Sequence, residues 1–427
     1  MKSLVGAMVF MTLLLLGACE KLTQPRLGPE ALALQELSTL VTETYLKLEG
    51  IERFSRGTLK LYRNGKALWE RPLTLADTVL YDSTLQPARR YTYRAELWAG
   101  NRRLAQSAPV TVTTMDTTSH AFEWEVIEFP SPYGSGALYD VAIIDENNIW
   151  AVGEIYSDSA QPWLPYNAVH WDGEKWELKR IPFYDETGYA WYTPIKSILA
   201  FSEDDIWFEA GIHWNGTEYE SRPLNIDFPS HVNKMWGTSS DDFYIVGNNG
   251  LIAHYDGRRW RRIESGVETM IQDVWGAKDL KTGEWVILCA VSNAAEPGEQ
   301  KVIQIQGLTV RTILNLPVNR AALTVWFPTP NFIFVGGDGI FIKKCRGSWQ
   351  LLDNLTKYAV ERIRGTKSND VFVVGHFGLV MHYNGMSWHY YPRAAAGYPY
   401  YSCDYKNSLL VAVGIRNHRP VILRMWR

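Results

Sequence analysis

The sequence predicts an all-β protein built largely from a repeated four-stranded unit. Residues 359–390 read AVERIRGTKSNDVFVVGHFGLVMHYNGMSWHY, a succession of four short strand-like runs separated by turn residues. Residues 232–263 read VNKMWGTSSDDFYIVGNNGLIAHYDGRRWRRI and share the pattern GTxSxDxxxVGxxGxxxHYxGxxW with the first stretch. The chain is also rich in aromatic residues, with 18 Trp and 23 Tyr, as packed β repeats often require.

The spacing of the repeats predicts a seven-bladed β-propeller over residues 122–427. Gly336, Gly375 and Gly414 each close an apolar strand and lie 39 residues apart. Repeats of about 40 residues with four strands each are typical of propellers. The last repeat lacks its fourth strand, whereas the strand-like run Phe122–Phe129 precedes the first repeat and has no other partner. We therefore expect residues 122–129 to complete the last blade and close the ring, which removes exposed sheet edges.

Residues 38–115 are predicted to form a small β-sandwich, joined to the propeller by a linker at 116–121. Asn64-Gly65 and Gly100-Asn101 are hairpin turn signals. Leu85-Gln86-Pro87, followed by Tyr91 and Tyr93, resembles the fibronectin type III pattern, in which a tyrosine fastens the turn before a strand. The resemblance implies a spacer or, alternatively, a ligand-binding sandwich.

The first residues indicate export and lipid anchoring. Residues 1–18 have the positive charge and short apolar run of a secretory signal. Leu16-Gly17-Ala18-Cys19 resembles a bacterial lipobox, which implies cleavage before Cys19, acylation of that residue (palmitate included) and a tether over 19–37. Because Glu20 rather than Asp follows, we expect the outer membrane rather than the inner one. An ordinary signal peptide is the alternative, and the side of the membrane is left open.

Several functional classes find no support in the sequence. The formal net charge of -3 does not favour nucleic-acid binding. No phosphate-binding glycine loop, GxSxG or HExxH motif occurs, so no cofactor or catalytic residue is assigned. No metal site is predicted, because four histidines occupy one equivalent position in different blades, where we expect them to bond or pack locally: His170, His213, His254 and His382.

Loop lengths indicate where recognition takes place. The second and third strands of blade 1 are joined by EIYSDSAQPWLPYN, and long links join blades 1 to 2 and 6 to 7. These three loops are predicted to emerge together on one face, where long loops on a rigid scaffold often carry function. Their aromatic side chains form either a local core or a binding patch. The predicted patch comprises Trp163, Tyr166, Tyr184, Tyr189, Trp191, Tyr192, Tyr398 and Tyr400.

The whole pattern resembles bacterial surface lipoproteins that join a fibronectin-like module to a propeller with DxWxVG and (D/N)GxxW repeats. The resemblance implies a membrane-anchored, non-catalytic protein whose propeller binds a protein partner or a glycan. One alternative is an enzyme that acts on polysaccharide, as a hydrolase or glycosyltransferase, through the same face. A second alternative is a structural subunit of an envelope or secretion complex. Propellers host many functions, so the fold alone does not decide between these classes.

Overall fold

The computed structural model describes residues 31–74, 78–185, 187–209, 211–222, 231–279, 282–293, 299–317, 320–345, 347–392, 394 and 397–427. The predicted signal segment, Cys19 and most of the predicted tether lie outside these residues. The described residues form two compact units. The first comprises residues 31–35, Lys47–Leu80 and Tyr91–Thr111, and the second comprises Glu36–Leu46, Tyr81–Arg90 and Val112–Arg427. Among the described residues, no helix has the length and apolar character needed to cross a membrane.

The first eight strands form one sheet in the order β4-β3-β6-β7-β1-β2-β5, with β8 paired to β6. Their bounds are β1 (Ala31–Thr39), β2 (Thr44–Glu49), β3 (Thr58–Arg63), β4 (Lys66–Pro72), β5 (Val79–Asp82), β6 (Arg90–Ala99), β7 (Arg102–Ser107) and β8 (Val110–Thr113). A single 3-10 turn, Ile51–Arg53, follows β2. Asn64 and Gly65 both have positive φ, of 50° and 77°, as the hairpin between β3 and β4 requires.

Strand β1 corrects the expectation of a tether up to residue 37. Ala31–Thr39 is a strand, and Ala31 and Leu32 pair in parallel with Gln106 and Ser107 of β7. Burial alternates along its first residues: Leu32 and Leu34 are buried, whereas Ala33 and Gln35 are partly exposed. The period of two in ALALQEL is therefore a strand signal.

Seven four-stranded sheets follow, which confirms the predicted seven-bladed propeller. Strand β9 (Glu123–Glu128) precedes the first blade. Blade 1 comprises β10 (Ala137–Asp145), β11 (Asn148–Ile155), β12 (Tyr166–Trp171) and β13 (Trp176–Lys179). A separate hairpin contains β14 (Phe183–Tyr184) and β15 (Ala190–Trp191). Blade 2 comprises β16 (Ile198–Ser202), β17 (Asp205–Phe208), β18 (Ile212–Trp214) and β19 (Tyr219–Ser221).

The remaining blades repeat the same antiparallel order. Blade 3 comprises β20 (Val232–Ser239), β21 (Asp242–Gly247), β22 (Ile252–Tyr255) and β23 (Trp260–Arg262). Blade 4 comprises β24 (Ile271–Lys278), β25 (Trp285–Val291), β26 (Lys301–Gln306) and β27 (Thr309–Asn315). Blade 5 comprises β28 (Ala322–Thr329), β29 (Phe332–Gly337), β30 (Gly339–Lys344) and β31 (Gln350–Leu351). Blade 6 comprises β32 (Val360–Lys367), β33 (Asp370–Gly375), the 3-10 turn His376–Gly378, β34 (Val380–Tyr383) and β35 (Trp388–Tyr390).

Blade 7 draws its strands from both ends of the propeller sequence. Its order is β36 (Tyr400–Lys406), β37 (Leu409–Arg416), β38 (Arg419–Trp426) and then β9. Glu128 lies opposite Val421, and Glu123 lies opposite Trp426. The strand-like run before the first repeat is thus the outer strand of the last blade and closes the ring.

Neighbouring blades bury their apolar faces against each other. Phe372 and Val374 of blade 6, for example, share one buried cluster with Tyr405 and Leu410 of blade 7. The second strand of several blades ends in a glycine, because the first strand approaches closely there. A Cβ on Gly337 would lie 2.0 Å from the carbonyl oxygen of Ala321.

The corresponding distances for Gly375 and Gly414 are each 2.1 Å, measured to the carbonyl oxygens of Ala359 and Pro399. The structural equivalent of these two glycines in blade 5 is therefore Gly337. The sequence-based choice of Gly336 was wrong by one residue.

Candidate functional site

The innermost strands place one polar residue from each blade at the propeller axis. In six of these strands the pairing register shifts just before that residue, as at Leu138/Asp140 and Val232/Lys234. A bulge of this kind re-aims the next side chain. All seven residues are buried, and we call them the axial ring: Asp140, Ser197, Lys234, Asp273, Thr324, Arg362 and Ser402.

Asp140 joins four blades. Both of its carboxylate oxygens accept hydrogen bonds from Lys234 Nζ of blade 3, each at 2.6 Å. Ser402 Oγ of blade 7 donates to Oδ1 at 2.7 Å, and the Ile198 amide of blade 2 donates to Oδ2 at 3.1 Å. Burial opposes ionisation, but the charges of Lys234 and Arg362 and these hydrogen bonds hold the pKa of Asp140 below its ordinary value.

Asp273 is the second buried carboxylate of the ring. Arg364, on the same strand as Arg362, donates to its Oδ1 at 2.8 Å from Nη2 and to its Oδ2 at 3.1 Å from Nη1. Thr324 Oγ1 donates at 2.7 Å. Burial again opposes ionisation, and the charges of Arg362 and Arg364 outweigh it, so the pKa of Asp273 lies far below its ordinary range. Blades 1 and 3, and blades 4 and 6, are thereby joined across the axis.

The residue before each ring position lies one step closer to the face of the long loops. Tyr139 and Tyr401 stack there, with ring centroids 6.1 Å apart. Lys196 is exposed, and its Nζ lies 5.1 Å from the centroid of the Tyr139 ring. The Tyr139 and Tyr156 hydroxyls both donate to Glu154, at 2.5 and 2.8 Å. This part of the loop face therefore combines aromatic rings with charged and hydroxyl groups.

The structure separates the predicted aromatic patch into surface and core residues. Trp163 is 74% exposed, Tyr189 69%, Trp191 41% and Tyr398 39%. Tyr166, Tyr184 and Tyr192 are half-buried. Tyr400 is 1% exposed. It opens β36, and its hydroxyl donates to the Ala394 carbonyl at 3.0 Å. The expectation of a surface role for Tyr400 was therefore wrong, because it is a core residue of blade 7.

Polar contacts hold these loops in shape. Arg180 Nη2 donates to Asp158 Oδ2 at 2.9 Å and to the Leu164 carbonyl at 3.3 Å. The Arg180 guanidinium also lies 4.2 Å from the Tyr166 ring centroid. In the β14–β15 hairpin, Asp185 Oδ1 accepts the amides of Thr187 and Tyr189, at 2.8 and 3.0 Å. Trp163, Tyr189 and Trp191 are thus presented on segments that local polar contacts hold in shape.

The four repeat histidines each bond within their own blade, which confirms their predicted local role. Nε2 of each ring lies 2.8–3.0 Å from a carboxylate or amide oxygen at the start of the second strand. The pairs are His170 with Asn148, His213 with Asp205, His254 with Asp242 and His382 with Asp370. Within the described part of the chain, no three His, Cys, Asp or Glu side chains lie close enough together to hold a metal ion.

An acidic depression of about 640 Å³ lies on the opposite face, between blades 7, 1 and 2. Two of its carboxylates serve the local turns: Asp145 Oδ1 accepts the Asn147 amide at 2.8 Å, and Asp172 Oδ1 accepts the Lys175 amide at 2.8 Å. The lining residues are Ile143, Asp145, Glu146, Asn147, Asn148, His170, Asp172, Glu203, Lys406, Asn407 and Leu409.

Sequence reasoning identified the long loops but missed the axial ring. The seven ring residues differ in type, so they do not form a motif. The available signal was a polar residue at one fixed position of an otherwise apolar strand in every repeat, as in LYDVAI, VNKMWG and ALTVWF.

Comparison with known proteins supports the fold alone. A structure of YCF48 bound to a D1 peptide is 16% identical, covers 71% of this chain and 95% of that chain, and has a TM-score of 0.52. The WD40 β-propeller domain of Doa1 is 12% identical, covers 72% and 98% of the two chains, and has a TM-score of 0.51. A catalytically inactive virginiamycin B lyase from Staphylococcus aureus, with quinupristin, is 10% identical, covers 71% and 100%, and has a TM-score of 0.53.

No protein-family model and no curated protein matches the sequence. The fold therefore defines the class, a seven-bladed β-propeller.

Proposed function

We propose that this protein is a non-catalytic, lipid-anchored envelope protein whose propeller binds a protein partner through the loop face. One observation carries the proposal: Trp163, Tyr189, Trp191 and Tyr398 are exposed, and polar contacts hold the segments that carry the first three. Large aromatic side chains lose little conformational entropy on binding and are enriched among residues that dominate interfaces. A similar propeller, YCF48, is described as bound to a peptide, which makes a protein partner the first expectation.

The proposed anchor is supported by Leu16-Gly17-Ala18-Cys19. The proposed spacer is supported by the strand order of the N-terminal sheet. Lipidation of Cys19 places the mature protein at the membrane, and the outer membrane is our proposed location. A sheet with β4, β3, β6 and β7 on one side and β1, β2 and β5 on the other has the order expected of a fibronectin type III-like module. Such a module acts as a spacer between the anchor and the propeller.

The experiment compares exposed tryptophans on two faces. A photo-crosslinking amino acid at position 163 should capture a defined partner, whereas the same group at position 285 should not. Trp285 is a matched control because it is 46% exposed on a strand of blade 4. With the partner identified, Trp163→Ala combined with Trp191→Ala should weaken binding by about 30-fold, as expected when a hot spot is lost, and Trp285→Ala should leave it unchanged.

Two outcomes would change the conclusion. Unchanged affinity in a stably folded double variant would exclude this face. Binding to an arrayed glycan that the double variant abolishes, without any protein crosslink at position 163, would make the ligand a carbohydrate.

A further inference from the structure

The stretch that leads into β9, residues 116–121, has no regular secondary structure and is held against blade 6 by polar contacts. Thr118 Oγ1 donates to the Asn369 carbonyl at 2.6 Å, and the Tyr391 hydroxyl donates to the His120 carbonyl at 2.7 Å. The following strand, β9, is instead paired along its whole length with β38. This stretch can therefore open while the blades stay intact.

Two imidazoles form the centre of this attachment: His120 of the stretch and His382 of β34, which we call the histidine pair. Their Nδ1 atoms lie 2.8 Å apart, a hydrogen-bond distance. His382 Nε2 lies 2.9 Å from Asp370 Oδ1, so the neutral ring carries its proton on Nε2 and accepts at Nδ1. His120 therefore donates from Nδ1, and its Nε2 accepts the Ser387 hydroxyl at 3.1 Å. The contact fixes one tautomer of each ring.

The surroundings of the histidine pair do not accommodate two added protons. With both rings protonated, two N–H donors and two positive charges would face each other across the same short distance. His382 is fully buried, and burial lowers the pKa of both imidazoles. Arg427 and His389 oppose further positive charge, and the carboxylate of Asp370 is already shared with Arg427 and the Tyr405 hydroxyl. Once open, the two histidines bind two protons below a pH of about 6.5.

We propose that the histidine pair is an acid-sensitive latch, which releases residues 116–121 from blade 6 on protonation while the seven blades remain folded. The closed form binds fewer protons than the open form, so its stability is complete above a pH of about 6.5 and is lost as the pH falls. For a difference of one proton, the equilibrium constant for opening rises by up to about tenfold per pH unit. Acid thereby makes the backbone ahead of the closing strand accessible. The latch does not depend on the proposed partner binding.

Hydrogen–deuterium exchange of the purified protein, measured by mass spectrometry, tests the latch. The reporter peptide covers residues 116–122, and the reference peptide covers β37 (Leu409–Arg416) inside blade 7. After correction for the intrinsic pH dependence of exchange, the reporter should lose up to about tenfold protection per pH unit between about pH 6 and pH 4.5. The reference should keep its protection. A loss in both peptides together would mean global unfolding and would overturn the proposal.

Two variants assign the effect to the histidine pair. His120→Asn retains an N–H donor near the position of Nδ1 but takes up no proton, so the protection of its reporter should not depend on pH, whether or not the substitution weakens it. His376→Asn is the matched control, because His376 also belongs to blade 6 but follows the end of β33 opposite to Asp370. It should show the wild-type loss. A wild-type reporter that stays protected in acid, or an equal loss in His120→Asn, would also contradict the latch.

Discussion

Lys234 of blade 3 and Asp140 of blade 1 form a buried ion pair across the propeller axis, with Nζ 2.6 Å from both carboxylate oxygens. Blade 2 lies between these two blades in the sequence, so the pair joins blades that do not share a packed sheet face. Blade 2 contributes Ser197, a hydroxyl instead of a charge, which lies 3.5 Å from the same carboxylate. The axis is thus a second connection between blades, in addition to the apolar faces that neighbouring blades share.

The Lys234–Asp140 pair predicts strong non-additivity. Lys234→Met leaves a buried carboxylate without its cation, which should cost about 3–5 kcal/mol in the free energy of unfolding. Combining it with Asp140→Asn should recover much of that loss. Urea unfolding of both single variants and the double variant measures the coupling energy. Additive losses would mean that the two residues act independently.

The closing strand predicts different costs for two aromatic residues. Phe122 is 6% exposed and meets the Phe372 ring edge-on at 5.0 Å, whereas Trp124 on β9 is 39% exposed. Phe122→Ala should lower the free energy of unfolding by about 3–5 kcal/mol. Trp124→Ala should cost clearly less, and denaturant titration compares the two. If the two variants lose the same free energy of unfolding, the burial of Phe122 is not what holds strand β9 in blade 7.

A cluster of three histidines predicts acid sensitivity. His120 Nδ1 lies 2.8 Å from His382 Nδ1, and the His120 and His389 ring centroids are 5.3 Å apart. Burial and the neighbouring His382 and His389 lower the pKa of His120 to about 4. The folded state therefore binds the proton less tightly than the unfolded chain does, whose histidine pKa is about 6.5. This contribution to stability is complete above pH 6.5 and is lost as the pH falls towards 4.

The measurement is the difference in Tm between the wild type and His120→Asn from pH 7.5 to 4. Carboxylate effects common to both proteins cancel in that difference. The wild type should lose more stability on acidification, and parallel curves would contradict the assignment. His376 makes the opposite contribution, because its hydrogen bond to Glu361 raises the pKa of its imidazole.

Lipid anchoring predicts the fate of one variant in cells. Cys19→Ser removes the thiol that the lipobox-like sequence offers for acylation. We expect unprocessed precursor or soluble protein in place of the membrane-bound form, because the acyl chains supply about 0.8 kcal/mol for each buried methylene. Fractionation and intact mass decide the question. Cys289→Ser is a control at a buried, free cysteine. Unchanged mass and partition in Cys19→Ser would exclude the anchor.

The repeats were sufficient to predict the propeller, because turn glycines and apolar strands recur at a fixed period. The same reasoning failed where local pattern and tertiary context differ. Tyr400 follows a loop rich in Tyr and Gly, yet it is buried because β36 begins at that residue. The axial ring could not be recognised as a site from the sequence. Its equivalent positions carry different residue types, and its opposite charges come from different blades. Whether the four exposed aromatics bind a partner depends on a molecule that the sequence does not contain.

Ring closure through β9 has a consequence for biosynthesis. Arg424 and Glu125, which form an ion pair across the closing strands, are 299 positions apart in the chain. During translation, β9 is the first propeller strand to emerge, and it stays without its partner β38 until all of the intervening blades have been synthesised. Over that interval the nascent chain carries an unsatisfied strand edge that another copy could capture. The rate of chain synthesis and the protection of the emerging chain, in addition to final stability, should therefore determine how much correctly closed protein a cell obtains.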